Sequence, residues 1–276
     1  MHKLIVKQLK RIPFIYKFAR FLFLFFKALL SVRLNIDKLL EFFIFLKGGQ
    51  PLSSGNQKLY SNIFPNLIEK FSPNVVIFDV GANDGWFARV VYRYAPRETE
   101  IVSFEPLTSM HIHLEKIAKL MPNYTFEKVA LGEDNVELSI TEYEEPGLSS
   151  FKELSEQYRY DEKEYNTNAI NKYKVDVISL DNYLQKHQKY QNIILKIDTQ
   201  GFEMEVLKGA RLAFEKGKIN VVIIEVMTLE KYKKSKLYIE LFDYLHFFGF
   251  KLFDIHAASY EKNGALSEFD CVFIKA

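Results

Sequence analysis

Between residues 74 and 275, short runs rich in Val, Ile and Phe alternate with longer amphipathic stretches, and this alternation restricts the fold more than any other feature. The runs are NVVIFDV, EIVSFEP, YTFEKVALG, YKVDVISL, NIILKID, INVVIIEV, FKLFDI and FDCVFIK. The stretches between them include LTSMHIHLEKIAKL, GFEMEVLKGARLAFEK and LYIELFDYLHFFG. Aliphatic strands each followed by a helical pattern make βαβ units, and such units build a mostly parallel sheet covered on both faces. The last two runs have only a short stretch between them, and its NGALSE is too brief for a crossover helix, so they are expected to pair as an antiparallel hairpin. Residues 136–174 are richer in Glu, Tyr, Asn and Ser and read as an insertion over one end of the sheet, with VELSITEY as an extra strand.

A chain of 276 residues, 48% hydrophobic and 26% charged, can bury one large core and still carry an accessory segment. The linker-like run GGQPLSSGN ends near residue 56 and divides an N-terminal extension, 1–56, from a globular domain, 57–276. A single cysteine, Cys271, excludes an intramolecular disulfide framework and fits a reducing, cytoplasmic setting. The six histidines are scattered, and none pairs with Cys271 at zinc-ligand spacing, so no metal site is expected. The net charge of +2 conceals a division: residues 1–47 carry ten Lys and Arg against Asp37 and Glu41, which leaves 27 basic and 33 acidic residues in the remainder. An acidic body argues against a nucleic-acid-binding core.

The stretch VIFDVGANDGWFARVVYRYAP joins a buried strand to a helix through D-x-G-x-N-x-G. Ligands of open α/β sheets sit beyond the carboxyl ends of the strands, where Asp79 and the turn from Gly81 to Gly85 fall. Glycine lets a ligand approach the backbone, and Asn83 belongs to the few other residue types that tolerate positive φ. The helix beginning near Asp84 and Gly85 offers N–H groups to an anion. Glu105, at the end of the second strand, is placed to accept both hydroxyls of a ribose. These features suit an adenosine-containing cofactor. An acid beside the turn repels a pyrophosphate but holds an ammonium, which favours S-adenosylmethionine over a nicotinamide or flavin dinucleotide.

In order and spacing, FDVGANDGWFA, FEP, VALGE, Ser149–Ser150, VDVISLDNY and above all LKIDTQGFEMEVLKGA resemble the FkbM-type methyltransferase family. The resemblance covers roughly residues 75–275 and does not extend to residues 1–56. It implies an α/β, Rossmann-like, seven-stranded class I methyltransferase sheet, mostly parallel with a C-terminal antiparallel hairpin, here preceded by the helical extension. It implies that Asp79, Gly81, Asn83 and Gly85 line the methionine end of S-adenosylmethionine and that Glu105 takes the ribose. Ala130, Leu131, Gly132 and Glu133 would lie near the adenine. Asp198 ends the fourth strand at the mouth of the cleft, with Gln200, Gly201 and Glu203 opening the next helix. Met204, Leu207 and Ala210 are expected to face the sheet as ordinary core positions.

The activity so implied is O-methylation of a hydroxyl on a sugar, glycan or similar small-molecule acceptor. Asp198 is the candidate base, and Glu203 is the second catalytic candidate, with Glu225 behind it. The alternatives are an N-methyltransferase, a methyltransferase for a small metabolite, and a membrane-attached module that binds cofactor without turnover. The acids at Asp79, Glu105 and Asp198 argue against the last.

The most apolar stretch, IPFIYKFARFLFLFFKALLSV, is interrupted by Lys17, Arg20 and Lys27, so it reads neither as a bilayer-spanning helix nor as a secretory signal. Lys7, Lys10, Lys17, Arg20 and Lys27 alternate with Phe14, Phe21, Leu24 and Phe25, the pattern of a basic interfacial helix. The same pattern suits packing on the globular domain or a homo-oligomer contact. Peripheral binding to an anionic cytoplasmic membrane face gains about 1 kcal/mol per basic residue and is screened by salt. The full chain is therefore expected to co-sediment with anionic vesicles at low salt and to be released at high salt, whereas a chain lacking residues 1–47 stays in solution. Equal sedimentation of both proteins would assign the segment to packing instead.

Overall fold

The computed structural model describes residues 63–71, 74–96, 98–156, 158, 167–261 and 263–276. The extension and linker expected over residues 1–56 lie outside the described residues. Among the described residues no helix is long and apolar enough to cross a membrane.

Ten strands and seven α-helices are described. The strands are β1 (Val75–Val80), β2 (Glu100–Phe104), β3 (Tyr124–Glu127), β4 (Ala130–Leu131), β5 (Val136–Tyr143), β6 (Ala169–Ile178), β7 (Asn192–Ile197), β8 (Ile219–Met227), β9 (Phe250–Tyr260) and β10 (Leu266–Lys275). The helices are α1 (Phe64–Phe71), α2 (Trp86–Tyr94), α3 (Thr108–Leu120), α4 (Leu180–Lys186), α5 (Glu203–Gly209), α6 (Arg211–Glu215) and α7 (Tyr238–Phe247). A 3₁₀ turn covers Pro146–Leu148.

Seven strands form one sheet in the order β3-β2-β1-β7-β8-β10-β9. β1 pairs in parallel with both β2 and β7, and β7 pairs in parallel with β8. The expected hairpin is present: β10 runs antiparallel to β8 and to β9. Every residue of β1 is buried, as are Ile193, Ile194 and Leu195 of β7 and Val221 to Ile224 of β8, so these strands read as unbroken apolar runs. The helices bury their apolar faces against this sheet. Met204, Leu207 and Ala210 are all buried there, in agreement with their assignment as core positions. On the other half of the core, the Phe78 ring meets Phe104 edge-on at 5.6 Å and Tyr190 at 5.2 Å.

Two strand assignments need correction. YTFEKVALG is not one strand: β3 ends at Glu127 in the main sheet, and Ala130–Leu131 begin a second, three-stranded sheet in the order β4-β6-β5. YKVDVISL belongs to β6 of that second sheet rather than to the seven-stranded one. Its Lys and Asp alternate with Val, which suits a strand with one face toward water and not a strand covered on both sides. VELSITEY is the extra strand anticipated, as β5. Thus the second sheet, with the 3₁₀ turn, forms the insertion at the carboxyl edge of the main sheet.

Gly209, at the end of α5, stands so close to this insertion that a Cβ there would lie 1.8 Å from the carbonyl oxygen of Gly132. Gly209→Ala must therefore push α5 away from the β4 connection. The expected loss is about 1–3 kcal/mol in urea unfolding, as for overpacked interiors. Gly264→Ala, where nothing lies within 4 Å of the added atom, costs only the strain of its positive φ.

Candidate active site

β1 and β7 are neighbours at the point where the sheet order reverses, and their carboxyl ends open a crevice there. Asp79 of β1 is in register with Ser103 of β2 and with Lys196 of β7, so three polar side chains line up across adjacent strands. Ser103 Oγ donates to Asp79 Oδ2 at 3.2 Å. Lys196 Nζ stands 3.4 Å from Asp79 Oδ1 and 3.4 Å from Asp198 Oδ2, over the ring of Phe87. Asp79 has no exposed surface, and burial raises its pKa against the pull of the Lys196 charge. It therefore lies beneath the crevice and not on its wall, because its side chain leaves the strand within the covered face of the sheet.

The turn after β1 is tied to both neighbours. The N–H groups of Gly81 and Ala82 donate to the Phe104 carbonyl at 3.0 and 3.3 Å, and that of Asp198 donates to the Val80 carbonyl at 3.0 Å. Gly81 has φ +77°, and a Cβ there would sit 1.8 Å from the Asp198 carbonyl oxygen, so residue 81 must be glycine for the two strand ends to meet. Asn83 adopts φ +49°, and its N–H donates to Glu105 Oε2 at 2.6 Å. Gly85 begins α2, but the space beside it is filled by Leu114 and Ile117 of α3. It serves helix packing. Asp84 Oδ1 accepts the Trp86 N–H at 2.9 Å, so the helix start is partly satisfied by its own acid.

Glu105 is buried, and its second oxygen accepts the Leu107 N–H at 2.8 Å. Burial pushes its pKa up to about 7, while the two backbone N–H donors hold it down. Gly132 is backed by Val177 and Phe202, and Glu133 points outward to Lys208 at 3.2 Å.

Asp198 follows β7. Gln200 Nε2 donates to Asp198 Oδ1 and to Glu225 Oε2, both at 2.9 Å. Glu225 on β8 is in register with Asp270 on β10. Burial, the Asp198 charge and the nearby Glu268 and Asp270 raise the Glu225 pKa well above the carboxylate range. Burial and the Asp198 charge likewise push Asp270 up to about 7. Glu203, the first residue of α5, is buried. Its Oε1 accepts from the N–H groups of Thr199 and Gly201 and from the Thr199 hydroxyl, at 3.0–3.1 Å. That carboxylate organises the turn between β7 and α5.

Two adjoining cavities result. The smaller, about 100 Å³, is walled by Gly81, Asn83, Glu105, Ala130, Leu131 and Asp198, with Ser150 and Gln200. The larger, about 490 Å³, is walled by Trp86, Phe87, His113, Lys196, Asp198, Glu225 and Asp270. Asp198, Gly81, Asn83 and Pro146 line both. Of the residues expected from the sequence, Gly81, Asn83, Glu105, Ala130, Leu131 and Asp198 meet around the smaller cavity. Asp79, Gly85, Gly132, Glu133 and Glu203 stand behind or beside it. Lys196 and Asp270 were not foreseen. For Lys196 the signal was present, a lone charge in an apolar run two residues before Asp198 and hence on the same face of the strand.

Several acids here carry raised pKa values, which fixes the sign of a pH effect. A carboxyl group whose folded pKa exceeds its unfolded value contributes stability below the unfolded value and loses it as pH rises through the folded one. For Glu105 the window runs from 4.5 to about 7, for Asp270 from 3.8 to about 7. The contribution of Glu105 is roughly 3 kcal/mol. The free protein is thus expected to melt at progressively lower temperature as pH rises from 5 to 8. Glu105→Gln should flatten that slope while lowering the melting temperature at pH 5, since an amide NH₂ would face a backbone N–H. A melting temperature independent of pH over this range would contradict the burial described.

The model of the methyltransferase FkbM domain matches residues 79–252, well over half of the chain. A segment of 85 residues is 34% identical to the AMB antimetabolite synthetase AmbE of Pseudomonas aeruginosa, covering 30% of this chain and 4% of that protein. The chain thus spans a small fraction of the length of this curated relative. Among solved structures, methyltransferase FkbM from Methylobacillus flagellatus KT is similar with a TM-score of 0.45 and 16% identity, over 72% of this chain and 42% of that one. Aeropyrum pernix fibrillarin with bound S-adenosyl-L-methionine gives 0.40 and 10%, over 78% and 74%. With the sheet order and the family match together, the chain belongs to the FkbM methyltransferase family and has a Rossmann-like fold.

Proposed function

We propose that the protein methylates a hydroxyl group of a sugar, glycan or similar polyol, with Asp198 as the base. The observation that carries this reading is the position of Asp198 on the wall shared by both cavities. A base takes the proton from the acceptor oxygen, and that oxygen must stand in line with the donor methyl, so the base belongs where the two sites meet.

The smaller cavity fits the cofactor by the chemistry of its donors and acceptors. Glu105 offers carboxylate oxygens to ribose hydroxyls, Ala130 and Leu131 give an apolar wall for a base, and Gly81 exposes backbone at the turn. The acids around the turn would repel a pyrophosphate and attract a cationic centre. S-Adenosylmethionine bound there supplies a methyl group already activated by its sulfonium. Asp79 contributes from beneath, by holding the Lys196 ammonium beside Asp198.

The larger cavity suits a polyol. The carboxyl groups of Asp198, Glu225 and Asp270 can exchange hydrogen bonds with hydroxyl groups, and Trp86 and Phe87 give apolar faces on which a sugar ring can lie. This acid-rich wall disfavours phosphate-rich acceptors, nucleic acids among them. The polypeptide's part in the reaction is to orient the acceptor in line and to take its proton on Asp198 as the new C–O bond forms. Glu203 serves as a positioning group for the turn that carries Asp198, since its oxygen is engaged by three donors of that turn. The basic segment 1–47 would bring the enzyme to an anionic membrane surface.

Asp198→Asn keeps the size of the side chain but not the charge, and its amide nitrogen must face one of two donors, Gln200 Nε2 or Lys196 Nζ. Turnover at saturating cofactor is expected to fall about 10²–10⁴-fold, well beyond any change in cofactor affinity. The assay is methyl transfer from labelled S-adenosylmethionine into cell glycan fractions, with the methylated atom located by mass spectrometry. Normal single-turnover rates in the variant would remove Asp198 as the base, and a label on nitrogen would replace the hydroxyl acceptor by an amine.

A further inference from the structure

Gln200 combines a disfavoured backbone with an unusual set of side-chain partners. Its φ is +53°, in the left-handed region that residues with a Cβ seldom occupy and that marks functional turns when they do. Its amide nitrogen spans two carboxylates from different strand ends, Asp198 after β7 and Glu225 on β8. Its amide oxygen lies 2.9 Å from the Tyr232 hydroxyl, whose one hydrogen it shares with the Leu148 carbonyl at 3.0 Å, and its backbone carbonyl accepts the Ser150 hydroxyl at 2.6 Å. Tyr232 is fully buried, and its side chain packs against Gly201. These partners settle the orientation of the amide. Turned over, it would set a carbonyl oxygen against two carboxylates.

We infer that Gln200 is a positioning residue for methyl transfer, clamping Asp198 and Glu225 together through its amide, itself oriented from below by Tyr232. This inference rests on the reading of Asp198 as the base and deepens it. The clamp has a physical task. Asp198 is surrounded by Asp79 from β1, Glu203 from α5, Glu225 from β8 and Asp270 from β10, with Lys196 as the nearby cation. Glu225 also feels Glu268, Asp270 and Lys231. Asp84, His113 and Glu145 complete the charged or titratable wall of the larger cavity. Asp198 and Glu225 come from different strand ends in this crowded set of acids, and the two N–H bonds of one amide fix them against each other.

Gln200→Gly separates this role from a structural one, because glycine adopts φ +53° without strain and removes the side chain while keeping the backbone carbonyl that Ser150 uses. The melting temperature is expected to stay within about 3 °C of the wild type. Because Gln200 also lines the smaller cavity, the dissociation constant for S-adenosylmethionine is measured by calorimetry and turnover is compared at saturating cofactor. Turnover with labelled S-adenosylmethionine and the glycan fraction should fall roughly 10–10²-fold. The acidic limb of the pH–rate profile should move up by about half a pH unit or more, because the carboxylates lose their donors. Tyr232→Phe should give a smaller loss in the same direction, and the double variant should be no slower than Gln200→Gly alone. Wild-type turnover with an unmoved limb in Gln200→Gly overturns the inference. So does a loss of turnover that follows a fall in melting temperature with the limb unmoved, or one that adds fully to that of Tyr232→Phe. Asp198→Asn distinguishes the two readings. Normal turnover in that variant overturns the base assignment, and the limb in Gln200→Gly then decides whether the clamp acts through Glu225.

Discussion

One ammonium group, on Lys196, joins the two halves of the sheet where the fold works. The lysine tip is mostly buried at the wall of the larger cavity, and it finds opposite charge on Asp79 of the preceding half and Asp198 of the following one. The dependence runs both ways. Asp79 is completely enclosed, and without the ammonium it would face Asp198 across a low-dielectric gap with no counter-charge. The remaining polar order of the site is built outward from this pair: Asp198 meets Gln200, Gln200 meets Glu225 and Tyr232, and Glu203 secures the turn between them.

The strands and their order were largely legible in the sequence, because a doubly covered parallel sheet writes itself as uninterrupted aliphatic runs. The departure came where that signature fails. Lys172 to Asp176 alternate in polarity, and that alternation is the mark of a half-wet strand in a separate small sheet. The break between Glu127 and Ala130 had no such mark, since both pieces are apolar and only the change of sheet separates them.

The site was legible unevenly, for a different reason. Gly81, Asn83, Glu105 and Asp198 end strands or begin turns, and the position of a strand end can be estimated from the run that precedes it. A glycine in such a turn looks the same whether a ligand, a carbonyl group or a neighbouring helix occupies the space beside it. Gly85 and Gly132 border side chains, and Gly81 borders the Asp198 carbonyl. Glu225 and Asp270 come together only through the antiparallel register of β8 and β10, which hydrophobic patterning does not specify residue by residue. Lys196 shares a strand with its partner Asp198 and could have been found.

The insertion meets the sheet end through several contacts, among them the Ser150 hydroxyl on Gln200, the Tyr232 hydroxyl near Leu148, the bridge between Leu154 and Tyr232, and the Lys152–Glu205 ion pair. It supplies Pro146 to both cavities, yet none of the strands that carry Asp79, Lys196, Asp198 or Glu225. Roof and floor are consequently built from different strands. The charged row takes its register from the main sheet, while residues 144–156 shape the opening above it and touch it through Ser150 and Gln200.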